Sequence, residues 1–139
     1  FVLNNLLKMN LRKPLIYSCS GCSSAAQMAN YIAVRLDRWG IADMSCIAGV
    51  GGGVKKLVRT ALSGRKIIVL DGCPLACSKA CLSQHGIVPD IHIDLSTLGV
   101  SKKEHEDFNQ AEADEIIGQL LVKISSAENL NSASFVNHP

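Results

Sequence analysis

The stretch Lys66-Ile67-Ile68-Val69-Leu70-Asp71-Gly72-Cys73-Pro74-Leu75-Ala76-Cys77 decides the fold. Its first half is an unbroken apolar run with no polar residue from Ile67 to Leu70. A strand buried on both faces reads this way, and such strands belong to parallel sheets covered by helices. The run stops at Asp71-Gly72. Pro74 suits the first position of a helix, which makes Cys73 its N-cap, and that helix ends near Gly86. Two thiols, Cys73 and Cys77, stand where strand passes into helix.

The same strand-then-thiol pattern occurs twice upstream. Leu15-Ile16-Tyr17-Ser18 runs into Cys19, and a strand over about Asp43 to Ile47 contains Cys46. Between them, Ala25, Met28, Ala29, Ile32, Ala33 and Leu36 recur at helical spacing. Ser24 with Gln27 reads as a capping box, and Gly40 as the C-terminal stop. Gly49-Val50-Gly51-Gly52-Gly53 reads as a turn. A helix follows, with Val54, Leu57, Val58, Ala61 and Leu62 on one face and Gly64 at its end. Downstream, Ile91, Ile93 and Leu95 alternate with His92 and Asp94 in a strand over Asp90 to Leu95. Ser101 with Glu104 offers another capping box. A last helix runs from about Asn109 to Ser125 on Ile116, Ile117, Leu120, Leu121 and Ile124.

Strands alternating with helices imply right-handed crossovers and a parallel sheet. The expected fold is α/β: one doubly wound sheet of about four parallel strands in the flavodoxin-like order 2-1-3-4, with helices on both faces. Residues 1–12 read as an N-terminal extension, 13–126 as the α/β domain and 127–139 as a flexible C-terminal tail. In that strand order Cys19, Cys46 and Cys73 end neighbouring strands, about 5 Å apart per step. Ligand sites in open parallel sheets form at this carboxyl edge.

Composition narrows the chemistry. At 139 residues, 47% apolar and 4% aromatic, the chain builds a core of small aliphatic side chains. A net charge of +2 gives no argument for a nucleic-acid or membrane partner, and the basic pairs Arg12-Lys13, Lys55-Lys56, Arg65-Lys66 and Lys102-Lys103 read as solvated surface. No apolar run reaches the roughly 20 residues of a membrane span. Residues 1–8 lack the features of a signal peptide. The expected compartment is the cytoplasm, where clustered cysteines bind metal or do redox chemistry more often than they form disulfides.

Five thiols, Cys19, Cys22, Cys46, Cys73 and Cys77, therefore form the candidate site. A closed zinc site takes four thiolate or imidazole ligands. Cys19-x2-Cys22 has the spacing of a metal knuckle or a redox pair. Cys73 and Cys77 fall on one helical face. Cys81 lies about 12 Å along a regular helix from Cys73, too far to share its ion, and reads as a small buried apolar residue. Four thiolates also hold iron–sulfur clusters. A thiol reductase or sulfur-transfer protein would instead use Cys19 with Cys22, where a helix start lowers a thiol pKa. A nucleotide- or phosphate-binding module on the glycine loop with Lys55 and Lys56 is a further reading, although the loop has neither a P-loop nor a dinucleotide fingerprint. Asp71 reads as a turn-stabilising carboxylate in preference to a metal-site neighbour. His85 reads as a helix-end histidine, and His92 as a hydrogen-bonded or surface one.

Three blocks together resemble the DGC-domain proteins, a family named for its Asp-Gly-Cys and described as zinc-binding through four cysteines. They are Tyr17-Ser18-Cys19-Ser20-Gly21, Met44-Ser45-Cys46-Ile47-Ala48-Gly49-Val50-Gly51-Gly52 and Ile68-Val69-Leu70-Asp71-Gly72-Cys73-Pro74-Leu75-Ala76-Cys77. The match runs from about Lys13 to Val100. The resemblance implies ligands at Cys19, Cys46, Cys73 and Cys77, with Cys22 as a variant or exchangeable fifth. Spacing alone favours Cys22 over Cys46. The resemblance supplies no activity, so structural, delivery and sensing roles for the metal all remain open.

Overall fold

The computed structural model describes residues 2–4 and 12–133, with side chains through Glu128. Most of the expected N-terminal extension, and the expected tail from 134 onward, lie outside the described residues. The described residues up to Phe108 form one compact unit and those from Asn109 onward another.

The first unit is built on four parallel strands: β1 Leu15–Ser18, β2 Asp43–Met44, β3 Ile67–Asp71 and β4 Ile91–Asp94. Their order is β2-β1-β3-β4, as the alternating pattern implies. β1 and β3 pair in register from Leu15 opposite Ile67 to Ser18 opposite Leu70. Both are buried along their whole length. This is why the sequence shows continuous apolar runs there and not alternation.

Successive strand residues face opposite sides of the sheet. Leu15, Tyr17, Ile67 and Val69 pack with Val50, Ala61 and Leu82 into one core, flanked by Ile47, Leu57 and Ile87. Those partners come from α2 Ile47–Gly51, α3 Lys55–Ala61 and α4 Cys77–Ser83 and its exit loop. The opposite face is covered by α1 Ser24–Arg38, whose Ala25, Met28, Ala29, Ile32, Ala33 and Leu36 are buried. Helices thus lie on both faces.

Several local expectations shift. The cap of α1 is Ser23, whose hydroxyl accepts from Ala26 N–H at 3.1 Å. Ser24 is already inside the helix, and its side chain serves another purpose. Gln27 donates instead to the Gly21 carbonyl. The helix then stops as expected, with Trp39 at the C-cap and Gly40 beyond it at φ +74°, the left-handed conformation glycine tolerates. β2 keeps only Asp43 and Met44, because Cys46 turns to become the N-cap of α2 and the glycine-rich segment is helical from Ile47 to Gly51. Two of its glycines are closely packed by side chains: a Cβ at Gly49 would lie 2.0 Å from Leu57 Cδ1, and one at Gly51 2.8 Å from Cys81 Sγ.

β4 ends at Asp94, whose carboxylate accepts from Ser96 N–H at 2.9 Å and opens a 3-10 turn, Leu95–Leu98. No helix starts at Ser101. The segment is extended there, and Glu104 bridges antiparallel to Ser23. The hydroxyl of Ser24 is what holds it: Ser24 Oγ accepts from Lys103 N–H at 3.0 Å while Ser24 N–H donates to the Lys103 carbonyl at 2.8 Å.

The second unit carries α5, Gln110–Ala133, longer at its C-terminal end than the expected stop at Ser125. Asn109 caps it, its side-chain oxygen accepting from Glu112 N–H at 2.9 Å.

Candidate functional site

Parallel strands in register end at one edge of the sheet. Two backbone bonds continue the ladder past the strand ends: Cys19 N–H to the Leu70 carbonyl at 3.1 Å and Ser45 N–H to the Ile16 carbonyl at 3.2 Å. Cys19, Cys46 and Cys73 therefore leave the same edge, and Cys77 follows one short turn later. All six cysteines are free thiols.

Cys19 is partly buried. Burial pushes its thiol up to about 11, and the neighbouring Asp71, Cys77 and Cys73 add to the rise. Gly72 N–H, donating to Cys19 Sγ at 3.2 Å, acts in the opposite sense. Cys19, Cys73 and Cys77 thus share one electrostatic neighbourhood around the Asp71 carboxylate.

The Asp71-Gly72-Cys73 corner has a separate physical reason for each residue. Asp71 is 1% exposed, at the last position of β3. Its carboxylate accepts from Ser78 N–H at 2.9 Å and Lys79 N–H at 3.3 Å. Those are orphan donors of the first turn of α4. His92 Nε2 lies 2.9 Å from the second carboxylate oxygen, so the buried carboxyl group has three partners. Gly72 is pressed against α1: a Cβ there would sit 2.6 Å from the Ala25 carbonyl carbon. Only glycine lets the β3 exit pass that close to the helix.

The expected cap at Cys73 is corrected by this arrangement. Cys73 to Ala76 is a reverse turn, closed by Ala76 N–H to the Cys73 carbonyl at 3.1 Å. Pro74 takes the position in it that proline favours. Ala76 adopts φ 51°, ψ 49°, and α4 begins at Cys77. Ala76 has no side chain to cap a helix; Asp71 does so from seven residues upstream. The turn-stabilising reading of Asp71 holds in kind, but the donors it satisfies belong to the helix. His92 is the hydrogen-bonded histidine expected. His85 sits past α4 with Nε2 2.8 Å from the Val50 carbonyl, joining α4 to α2.

The remaining thiols differ in setting. Cys77 is exposed at the first position of α4. Cys46 is exposed at the start of α2, on the β2 side of Cys19. Tyr17, whose phenol is pushed up mainly by burial, lies near enough to Cys46 for a thiolate there to add to the rise. Cys22 is exposed on the loop into α1. Cys81 is partly buried against Gly51, and burial pushes its thiol up, in keeping with a packing role. Among the described residues, no three His, Cys, Asp or Glu side chains are gathered as a group ready to hold a metal ion.

Lys102 is the neighbour the sequence did not reveal. Its ammonium lies 3.6 Å from Cys73 Sγ. Twenty-nine positions separate the two residues, and nothing in the spacing connects them. The contact exists because the 101–105 segment crosses the first turn of α1.

The DGC domain model matches residues 15–120 of the chain. The anaerobic and virulence modulator AnvM of Pseudomonas aeruginosa is 54% identical over 107 residues, covering 77% of this chain and 82% of that protein. No solved structure matches the chain.

Proposed function

This chain belongs to the DGC domain family, and from that premise we propose that it is a thiol-based metal-handling or regulatory protein of the cytoplasm. Zinc is the proposed ion and Cys19, Cys46, Cys73 and Cys77 the proposed ligands, with Cys22 as an exchangeable fifth thiol. The observation that carries the reading is the shared neighbourhood of Cys19, Cys73 and Cys77 at the carboxyl ends of β1 and β3.

The donor set fits zinc in kind. Thiolates are its preferred structural ligands, and N–H donors onto their sulfurs are the outer partners such sites use. Gly72 N–H already points at Cys19 Sγ. Among the described residues the thiols are not gathered as a ready metal group, so Cys19, Cys46, Cys73 and Cys77 would have to be brought closer to hold an ion. A site that had to close on its ion would suit handling or sensing better than a permanent structural role. AnvM is named as a modulator, and that supports the regulatory half of the proposal. When bound, zinc would supply a fixed positive charge on which the thiolates close.

An iron–sulfur cluster on the same cysteines is the alternative, since thiolates serve both. A redox pair of Cys19 with Cys22 draws less support, because a thiol pushed up to about 11 is protonated at neutral pH.

Elemental analysis and an absorption spectrum of protein purified without oxygen test the proposal. About one zinc per chain with no visible band is the expected result. Cys19→Ala, Cys73→Ala and Cys77→Ala should each lose the ion. Retention of zinc in Cys22→Ala with loss in Cys46→Ala fixes the fourth ligand. Iron with a brown chromophore replaces zinc by a cluster. Metal-free protein with six titratable thiols, unable to take up added zinc, overturns the metal reading.

A further inference from the structure

Lys102 reaches Cys73 from a segment that is firmly placed. Ser24 of α1 exchanges two bonds with Lys103, its N–H to the carbonyl at 2.8 Å and Lys103 N–H to its hydroxyl at 3.0 Å. The same hydroxyl lies 3.5 Å from the Ser101 carbonyl. His105 N–H donates to the Cys22 carbonyl at 3.1 Å, and His105 itself turns the chain at φ 59°. Residues 101 to 105 are thus a strap tied across the entrance to α1, on both sides of Lys102. Cys73 is held equally well, between Gly72 pressed on Ala25 and the turn that ends at Ala76. The primary amine and the half-buried free thiol are 3.6 Å apart, so one atom placed between them joins them with little movement of either backbone.

We propose that Cys73 and Lys102 are a modification site: on exposure to dioxygen they become crosslinked through a single oxygen atom, Sγ–O–Nζ. The S–H bond of Cys73 and one N–H bond of Lys102 break. An S–O and an O–N bond form. One atom of dioxygen becomes the bridge, and the other leaves as water with the two hydrogens. Sulfur and nitrogen each give up two electrons, and those four reduce the dioxygen. Excess dithiol reverses the step, returning thiol, amine and water. The crosslink fastens the strap to the Asp71-Gly72-Cys73 corner and withdraws Cys73 from the thiol cluster. A cluster that gathers around an ion in the absence of oxygen is then disabled in its presence. The site itself stands on the geometry of Lys102 and Cys73 and does not require that a metal bind.

Peptide mass mapping of the full chain tests it. Protein is prepared without oxygen, divided, and one half exposed to air-saturated buffer. Free thiols are then blocked with iodoacetamide and the chain is cut at acidic residues. The expected result is a linked peptide pair containing Cys73 and Lys102 in the exposed half alone. Its mass should exceed the two reduced peptides, counted with Cys77 and Cys81 alkylated, by one oxygen less two hydrogens, and dithiol should abolish it. Lys102→Arg keeps the cation but has no primary amine, and should remove the link while matching the wild-type melting curve in the unexposed protein. Cys73→Ser should remove it as well. Recovery of Cys73 only as free thiol, as a disulfide with Cys77, or as its sulfinic or sulfonic acid, with Lys102 unmodified, overturns the proposal. Zinc content of the oxygen-free half is read separately, so loss of the metal reading and loss of the crosslink are distinguishable.

Discussion

At the scale of single residues, the corner between β3 and α4 concentrates the constraints. Gly72 has no room for a side chain against the α1 backbone, and backbone does not yield as a flexible side chain does. Gly72→Ala should cost about 1–3 kcal/mol, the usual range for overpacking. Gly21 has nothing within 4 Å of the same added atom, so Gly21→Ala should stay within about 0.5 kcal/mol of wild type. Urea denaturation of the two variants measures the contrast. Equal losses would remove the packing argument for the motif glycine. The thiols should also separate in rate. Cys19 has its thiol pushed up to about 11, whereas Cys46 and Cys77 are exposed. Timed alkylation at neutral pH should label Cys46 and Cys77 well before Cys19. The sequence placed every one of these cysteines at a strand exit, but it ranked them only by spacing and by family resemblance, and neither says anything of burial.

At the scale of elements, two helix starts were misplaced by the sequence for related reasons. The Ser23-Ser24 pair leaves the cap of α1 ambiguous by one residue. The choice falls to Ser23 because Ser24 is engaged by the strap. Both substitutions should destabilise, but differently. Ser23→Ala should cost about 1 kcal/mol as a lost cap. Ser24→Ala should in addition speed amide exchange at Lys103, whose N–H loses its acceptor. Unchanged exchange there would argue against the strap. The start of α4 was read at Pro74 because its cap was sought nearby. The real cap, Asp71, lies across a turn and is itself held by a histidine of β4. His92→Ala exposes this dependence: it leaves a buried carboxylate short of one partner, at a cost of about 1–3 kcal/mol. His92→Gln should recover part of the loss. Chemical denaturation with all three proteins decides it, and a neutral His92→Ala would show that the two helix N–H groups suffice.

At the scale of the whole molecule, burial acts on the alkaline titration of three groups. Cys19, Tyr17 and Cys81 are each pushed up, in every case chiefly by burial. A group whose folded pKa exceeds its unfolded value contributes stability that is complete below the unfolded value and lost as pH rises toward the folded one. For Cys19 that window runs from 9.0 to about 11. The melting temperature should therefore fall across this range, and fall less steeply in Cys19→Ser. Circular dichroism is the suitable probe, since the single tryptophan, Trp39, is 55% exposed and reports little of the core. An equal slope in the variant would place the alkaline loss elsewhere. The sequence by itself determined the α/β class, the strand order and the edge at which the thiols leave, because apolar runs, helical periodicity and crossover handedness are local or topological facts. It also carried the family resemblance. Tertiary structure alone decided which thiols share a neighbourhood, that Asp71 caps a helix it does not belong to, and that Lys102 lies over Cys73. Those contacts join residues far apart in the chain, and their partners are chosen by how helices and strands pack, which no spacing along the chain encodes.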